Sequence, residues 1–181
     1  MVVLVCDDTD TAPAYFSEAV GHEVDGKRLR IVKAPQAGAA GDQIIEAAKN
    51  ELASLSPEDG DEFWALIDLE MAIDSQSLIQ QYRDKASKAG IKLALSQPCF
   101  EVWILAHFES TGQHFAGCKA VLELVKQRWK KAFGQDFPVR KAQADYRKLA
   151  DRLDDAVQNA RKQLPPNSQS WTDVWKVFAR D

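Results

Sequence analysis

Two strongly apolar runs in this chain end in carboxylates. Val2-Val3-Leu4-Val5-Cys6 runs into Asp7-Asp8-Thr9-Asp10, and Phe63-Trp64-Ala65-Leu66-Ile67 runs into Asp68-Leu69-Glu70. Short apolar runs bounded by polar residues read as strands buried on both faces, the signature of a parallel sheet. Helix signals lie between them. Thr11-Ala12-Pro13 opens a helix with proline near its first turn, and Tyr15, Phe16 and Val20 form its apolar face. Arg28 to Val32 alternates with period two and reads as a second strand. A glycine-containing loop, Ala34 to Gly41, leads to a helix over Asp42 to Leu55, with Ile44, Ile45, Ala48 and Leu52 at helical spacing. Glu62 to Ile67 is the third strand, after the turn Ser56 to Gly60. A helix over Ser75 to Ala89 closes at Gly90, and Ile91 to Leu95 is the fourth strand. This alternation predicts an α/β fold: a mostly parallel sheet with right-handed crossovers, flanked by helices.

From Cys99 onward the pattern is helical, over about 99 to 110, 116 to 133, 140 to 163 and 170 to 178. Ser110-Thr111-Gly112 and Gln163 to Ser170 read as surface loops. The 181 residues therefore predict one domain, an α/β core at 1–98 with a helical extension at 99–181. A net charge of −4 gives no bulk attraction for nucleic acid, so any such binding needs a local basic patch or a bridging metal. Cys6, Cys99 and Cys118 are odd in number and lack paired-ligand spacing, which favours reduced thiols. With no signal peptide and no apolar span, a cytoplasmic protein is expected.

In open α/β sheets, ligands bind at the carboxyl ends of the strands. Carboxylates delivered there from two strands repel one another unless a cation neutralises them, so Asp7, Asp68 and Glu70 form a candidate magnesium site. Asp68 and Glu70 are two apart and share a face if the strand runs through both. Magnesium takes oxygen ligands, often only one or two carboxylates. Asp8 and Asp10 are alternative ligands to Asp7. Equally, Asp suits turns and helix caps, which alone accounts for acids after strands.

Ser96-Gln97-Pro98-Cys99-Phe100-Glu101-Val102-Trp103-Ile104-Leu105-Ala106-His107-Phe108-Glu109 is a second signal. The residues after Pro98 are apolar almost all round, so this helix is expected to be buried. Glu101 and His107 stand out within it, because a buried carboxylate needs a partner. A first-turn carboxylate and a core histidine donating to a backbone carbonyl are the structural alternatives.

Together these segments resemble the RloB-like family, a branch of the Toprim-type metal-dependent phosphotransfer fold. Its first motif, approximately Glu-Gly-x-x-Thr-Glu-Pro-x-Tyr-Phe, is similar to Asp7 through Phe16. Its second, Asp-x-Asp after a strand, is similar to Asp68-Leu69-Glu70. Its third, Ser-Asn-Pro-x-Phe-Glu-x-Trp-x-Leu-x-His-Phe, matches Ser96 through Phe108 with Gln97 in place of Asn. A weaker tail likeness includes Lys141, Asp145-Tyr146 and Asn159-Ala160. The resemblance implies a Mg²⁺- or Mn²⁺-dependent nuclease of bacterial antiphage defence or abortive infection, commonly acting with a partner ATPase. It implies Asp7, Asp68 and Glu70 as metal ligands. It further implies that Glu101 orients a water or another group beside the metal, and that Lys141 neutralises phosphate.

The departures are Asp7 and Asp8 where the motif has Glu-Gly, Ala12 where it has Glu, and Glu70 where it has Asp. They leave open a catalytically degenerate subunit that regulates or recruits a partner, and a nucleotide-sensing domain using the same strand ends. Lys126, Arg128, Lys130 and Lys131 interleave with Trp129, and Arg140-Lys141 follow. This face suits RNA or DNA phosphates with a stacking aromatic, or is a solvated helix face with Trp129 turned inward. Homo-oligomerisation is also open. His22 and His114 sit in polar surroundings and carry no expected role.

Overall fold

The computed structural model describes residues 1–34, 36, 39–70, 75–163 and 170–179. The chain runs β1 (Val2–Cys6), α1 (Thr11–Tyr15), β2 (Glu23–Val24), β3 (Lys27–Lys33), α2 (Gly41–Ser54), β4 (Glu62–Asp68), α3 (Ser75–Ala89), β5 (Lys92–Gln97), α4 (Glu101–Ala106), α5 (Cys118–Phe133), α6 (Leu153–Arg161) and β6 (Trp171–Thr172). These strands form one sheet in the order β2-β3-β1-β4-β5-β6. The central β3, β1, β4 and β5 are parallel, and the short edge strands β2 and β6 are antiparallel to their neighbours. The expected α/β class, mostly parallel and flanked by helices, is therefore what the chain adopts.

The pleat explains why the strands are apolar on both faces. Val2, Leu4 and Cys6, with Trp64 and Leu66, pack beneath Phe100, Trp103 and the C-terminal helices. Val3 and Val5, with Phe63, Ala65 and Ile67, turn to Ile44, Ile45 and Ala48 of α2 and to Tyr82 and Ala86 of α3. All five residues of β1 are buried, as a central strand covered by helices on both sides must be.

Several local expectations give way. The helix after β1 is α for one turn only and then widens to a π segment over Phe16–Val20, closed by Gly21 N–H donating to the Phe16 carbonyl at 2.9 Å. Residues 140–163 are not one helix. They form 3₁₀ turns at Lys141–Gln143 and Tyr146–Arg152 before α6 begins. Ala144 is extended there, and the Tyr146 N–H is shared between the Ala144 carbonyl at 2.9 Å and the Glu18 carboxylate at 3.0 Å, neither of them a helical partner. The helix expected at 99–110 is ordered as α only over Glu101–Ala106, because its last turns close on 3₁₀-type bonds such as Phe108 N–H to the Leu105 carbonyl at 2.9 Å.

Residues 170–178 are not helical as expected either. Trp171–Thr172 adds a strand to β5, the Thr172 hydroxyl bonds the Ser96 hydroxyl at 2.9 Å, and a 3₁₀ turn follows at Val174–Val177. β-Branched and aromatic residues suit a strand, and both are buried here. The short hairpin β2–β3 turns at Asp25 and Gly26, whose φ values of +50° and +73° define the turn that favours Asp-Gly. Part of the Ala34–Gly41 loop and most of the Gln163–Ser170 loop lie outside the described residues. Among the described residues no helix is long and apolar enough to cross a membrane.

Candidate active site

The sheet topology places the two acidic clusters side by side. β1 pairs with β3 on one side and β4 on the other, so the chain reverses its winding between β1 and β4. A crevice opens at such a switch point, beyond the carboxyl ends of the strands. Asp7 follows β1 there and Asp68 ends β4. The Asp7 N–H continues the ladder to the Leu66 carbonyl at 3.1 Å, and the Asp68 N–H donates to the Asp7 carboxylate.

The two carboxylates share a partly buried site, and both are harder to ionise than free aspartates. Burial pushes Asp7 up to about 7, against the lowering pull of the Asp68 N–H and with further repulsion from Asp8. Asp68 is raised by burial first, then by Asp7 and Glu101. Burial and charge crowding of this kind both oppose ionisation.

Each remaining expected residue has a definite place. Asp8 folds the acidic loop into α1: its carboxylate accepts the N–H of Asp10 at 2.9 Å and of Ala12 at 3.1 Å. Asp10 is exposed and shares the cleft wall. Thus Asp7, of the three acids in that loop, stands against Asp68. Glu70 does not share a strand face with Asp68. The strand ends at Asp68. Glu70 is then exposed in a left-handed conformation, φ +49°, with its N–H on the Pro98 carbonyl at 2.8 Å. It still lines the same cleft.

Glu101 is 3% exposed at the start of α4 and holds the ammonium of Lys141 in an ion pair. The Thr11 hydroxyl also donates to it at 3.4 Å. Burial works against the Lys141 ammonium, but the Glu101 carboxylate outweighs it and raises the pKa. The Tyr146 hydroxyl fixes the Lys141 carbonyl at 3.0 Å. A cleft of about 470 Å³ brings Asp7, Asp8, Asp68, Glu70 and Lys141 to one opening, with Leu78 and Tyr82 of α3 on the far wall.

His107 belongs to the core. It is 1% exposed, its Nδ1–H donates to the Trp103 carbonyl at 3.0 Å, and its Nε2 accepts the Tyr15 hydroxyl at 3.0 Å. A carbonyl can only accept, which fixes that tautomer, and burial lowers the pKa to about 4. Trp129 is 2% exposed and packs edge-on against Phe133 and Phe137, so it cannot stack on a nucleobase. On the same helix Lys126 pairs with Glu123, Arg128 with Glu109 and Lys130 with Asp136. The basic interleaving is a solvated face over an inward aromatic.

Thr11 and Tyr82 are site residues that the sequence reading gave no role. Thr11 is the threonine of the first motif, and that match is a signal for it. Tyr82 carries no such signal. Its ring packs so closely on Gly41 that a β-carbon there would lie 2.5 Å from it.

The chain is an α/β protein with an acidic cleft at a switch point of its sheet, and a Glu101–Lys141 ion pair stands beside it. The sequence matches the family described as RloB-like protein over residues 2–179, and the chain belongs to that family. No curated protein and no solved structure matches it.

Among the described residues, no group of three or more His, Cys, Asp and Glu side chains is gathered so as to hold a metal ion. Asp7 and Asp68 are a pair, and a pair of carboxylates completed by water is a set that magnesium accepts. The residues fit Mg²⁺ in that two-carboxylate form rather than as a three-carboxylate cage.

Proposed function

We propose that this protein is a divalent-metal-dependent nuclease that hydrolyses phosphodiester bonds of RNA or DNA in the Asp7–Asp68 cleft. The observation that carries this is two aspartates at adjacent strand ends in one cleft, Asp7 accepting the Asp68 N–H, with the Lys141 ammonium at the same opening. Asp7 and Asp68 would hold Mg²⁺ or Mn²⁺, with Glu70 at the same opening. A metal bound there would stabilise the negative charge that develops on the scissile phosphate.

The chain's own residues supply the rest. Lys141 offers a fixed positive charge to a phosphate oxygen, and electrostatic stabilisation of this kind is worth several kcal/mol when preorganised. Glu101 positions that ammonium and is itself held by Thr11. Asp8 shapes the loop that presents Asp7, and Tyr146 anchors the segment that carries Lys141. A role in bacterial antiphage defence and a partner ATPase are supported by family likeness alone, a cytoplasmic location by the sequence expectation alone, and self-association is left open.

The test is a cleavage panel of tRNA, other RNA, single-stranded DNA and duplex DNA, with Mg²⁺, Mn²⁺ or chelator. Cleavage that requires the metal and disappears in Asp68→Asn is expected. Cleavage unchanged in Asp68→Asn would remove the proposal.

A second reading is a non-catalytic subunit that regulates or recruits a partner. It is favoured by the exposed, left-handed Glu70 and by Ala12 where the motif has a carboxylate. It predicts full biological activity from a folded Asp68→Asn protein.

A further inference from the structure

The cleft does not attract a nucleic-acid strand by charge. Asp7, Asp8, Asp10, Asp68 and Glu70 line it against the single cation Lys141, and the whole chain carries a net charge of −4. A polyanion approaches such a protein where cations outnumber acids locally. Lys126 and Lys130 of α5 are matched by Glu123 and Asp136. Lys131 is exposed, and among the described residues it has no ion pair. It borders a concave pocket of about 370 Å³, shared with Phe108, Glu109, Arg128, Ala132 and Arg152. Three cations face one carboxylate there. Arg128 donates its Nε–H to that carboxylate, Glu109, at 2.7 Å. The Arg152 guanidinium lies 5.7 Å from the centres of both the Phe108 and the Phe133 rings. The Lys148 ammonium is also 5.7 Å from the Phe133 ring. Among the described residues, no carboxylate or carbonyl takes the Arg152 guanidinium N–H groups.

We infer that this pocket is a second phosphate site, apart from the Asp7–Asp68 cleft, that holds the backbone of a nucleic-acid strand. The identity of the ligand as nucleic acid rests on the nuclease reading; the anion chemistry rests on the pocket. A guanidinium fixed by two rings, with its N–H groups unfilled, is a preorganised fork for phosphate oxygens. Arg128 and Lys131 add charge on the same wall, so the pocket carries the positive excess that the cleft lacks.

Two segments link the pocket to the cleft. The run of 3₁₀ turns brings Lys141 to the cleft at its start and Arg152 to the pocket at its end. The α4 segment covers the same interval, from Glu101 beside Lys141 to Glu109 in the pocket wall. Those eight residues span about 12 Å at the rise of a helix. A strand held by phosphate in the pocket therefore has a short path to the acidic cleft, and a cationic track of this kind is how proteins hold single strands without reading sequence.

The experiment follows the fluorescence anisotropy of short labelled RNA and DNA single strands with the full chain, in EDTA to prevent cleavage, across a salt series. Wild type is expected to bind at least one strand, more weakly as salt rises. Lys131→Ala should weaken that binding about fivefold at 0.1 M salt and flatten the salt slope by about 0.7, the share of one phosphate contact on a single strand. Arg152→Gln should weaken it at least as much, with circular dichroism reporting a retained fold. Lys88→Ala, an equal loss of charge from an exposed position on α3, should bind as wild type does. No binding by wild type, or the same affinity in Lys131→Ala as in Lys88→Ala, would overturn the inference. Tighter binding of a phosphoserine peptide than of either strand would overturn it as well. The readout needs no metal, so it separates the two readings. A protein that binds a strand through Lys131 and cuts nothing loses the nuclease and keeps this site; one that cuts, with Lys131→Ala binding unchanged, does the reverse.

Discussion

Asp68 works against the stability of its own fold. Burial pushes Asp7 up to about 7, so below that pH its protonated form is favoured. The stability this lends is present below the ordinary aspartate pKa of 3.8 and is lost as pH rises through about 7. Replacing Asp68 by Asn removes a carboxylate whose ionisation is opposed by burial and then by the Asp7 and Glu101 charges. In a chelating buffer at pH 8, Asp68→Asn is therefore expected to melt above wild type, with the gap narrowing as pH falls and closing near pH 4. A mutant that melts below wild type at both pH values would show that Asp68 is a structural residue. Lys141 behaves in the opposite way. Lys141→Ala strands the buried Glu101 carboxylate and should cost about 3 kcal/mol as well as abolish cleavage, whereas Lys141→Arg should keep most of the stability. Thermal melts and the cleavage panel together separate these outcomes.

At the level of elements, the cleft depends on how closely α2 and α3 approach. Gly41 has no room for a side chain because the Tyr82 ring occupies it. Gly41→Ala is expected to push Tyr82 off the cleft wall at a cost of about 1–3 kcal/mol, read as a lower melting temperature and changed tyrosine fluorescence. The edge strand β6 is a second such dependence: Trp171 is 3% exposed, and Trp171→Ala should cost about 3–5 kcal/mol in a denaturant melt. These two contacts also show where sequence reading stops. The parallel strands and α2, α3 and α5 were legible because apolar periodicity is local, and both acidic clusters fell where strand ends were expected. The Gly41–Tyr82 contact joins residues far apart in sequence and leaves no periodic trace. At the break at Ala144–Asp145 the Tyr146 N–H goes to the Ala144 carbonyl and to Glu18, and the second is a tertiary bond that no local helical pattern announces. The Asp25-Gly26 hairpin did carry a local signal, in the dipeptide itself.

For the whole molecule, the winding of the sheet does what no single motif can: it sets Asp7 beside Asp68 and leaves Glu70 past the strand end. The pairing of the two clusters was legible from the apolar runs that precede them. The turn at Glu70 was not, because a strand's last residue depends on bonds from its neighbours, here the Ser96 and Pro98 carbonyls that take the N–H groups of Leu69 and Glu70. Likewise His107 and Trp129 carry chemistry-bearing side chains that the packed core has already taken up. The proposed nuclease requires that Asp7 and Asp68 together hold a divalent cation. Calorimetric titration of Mg²⁺ and Mn²⁺ into wild type and Asp68→Asn tests it most directly. The prediction is saturable binding by wild type that is absent in the mutant. Failure of wild type to bind either metal, even with a short oligonucleotide present, would contradict it.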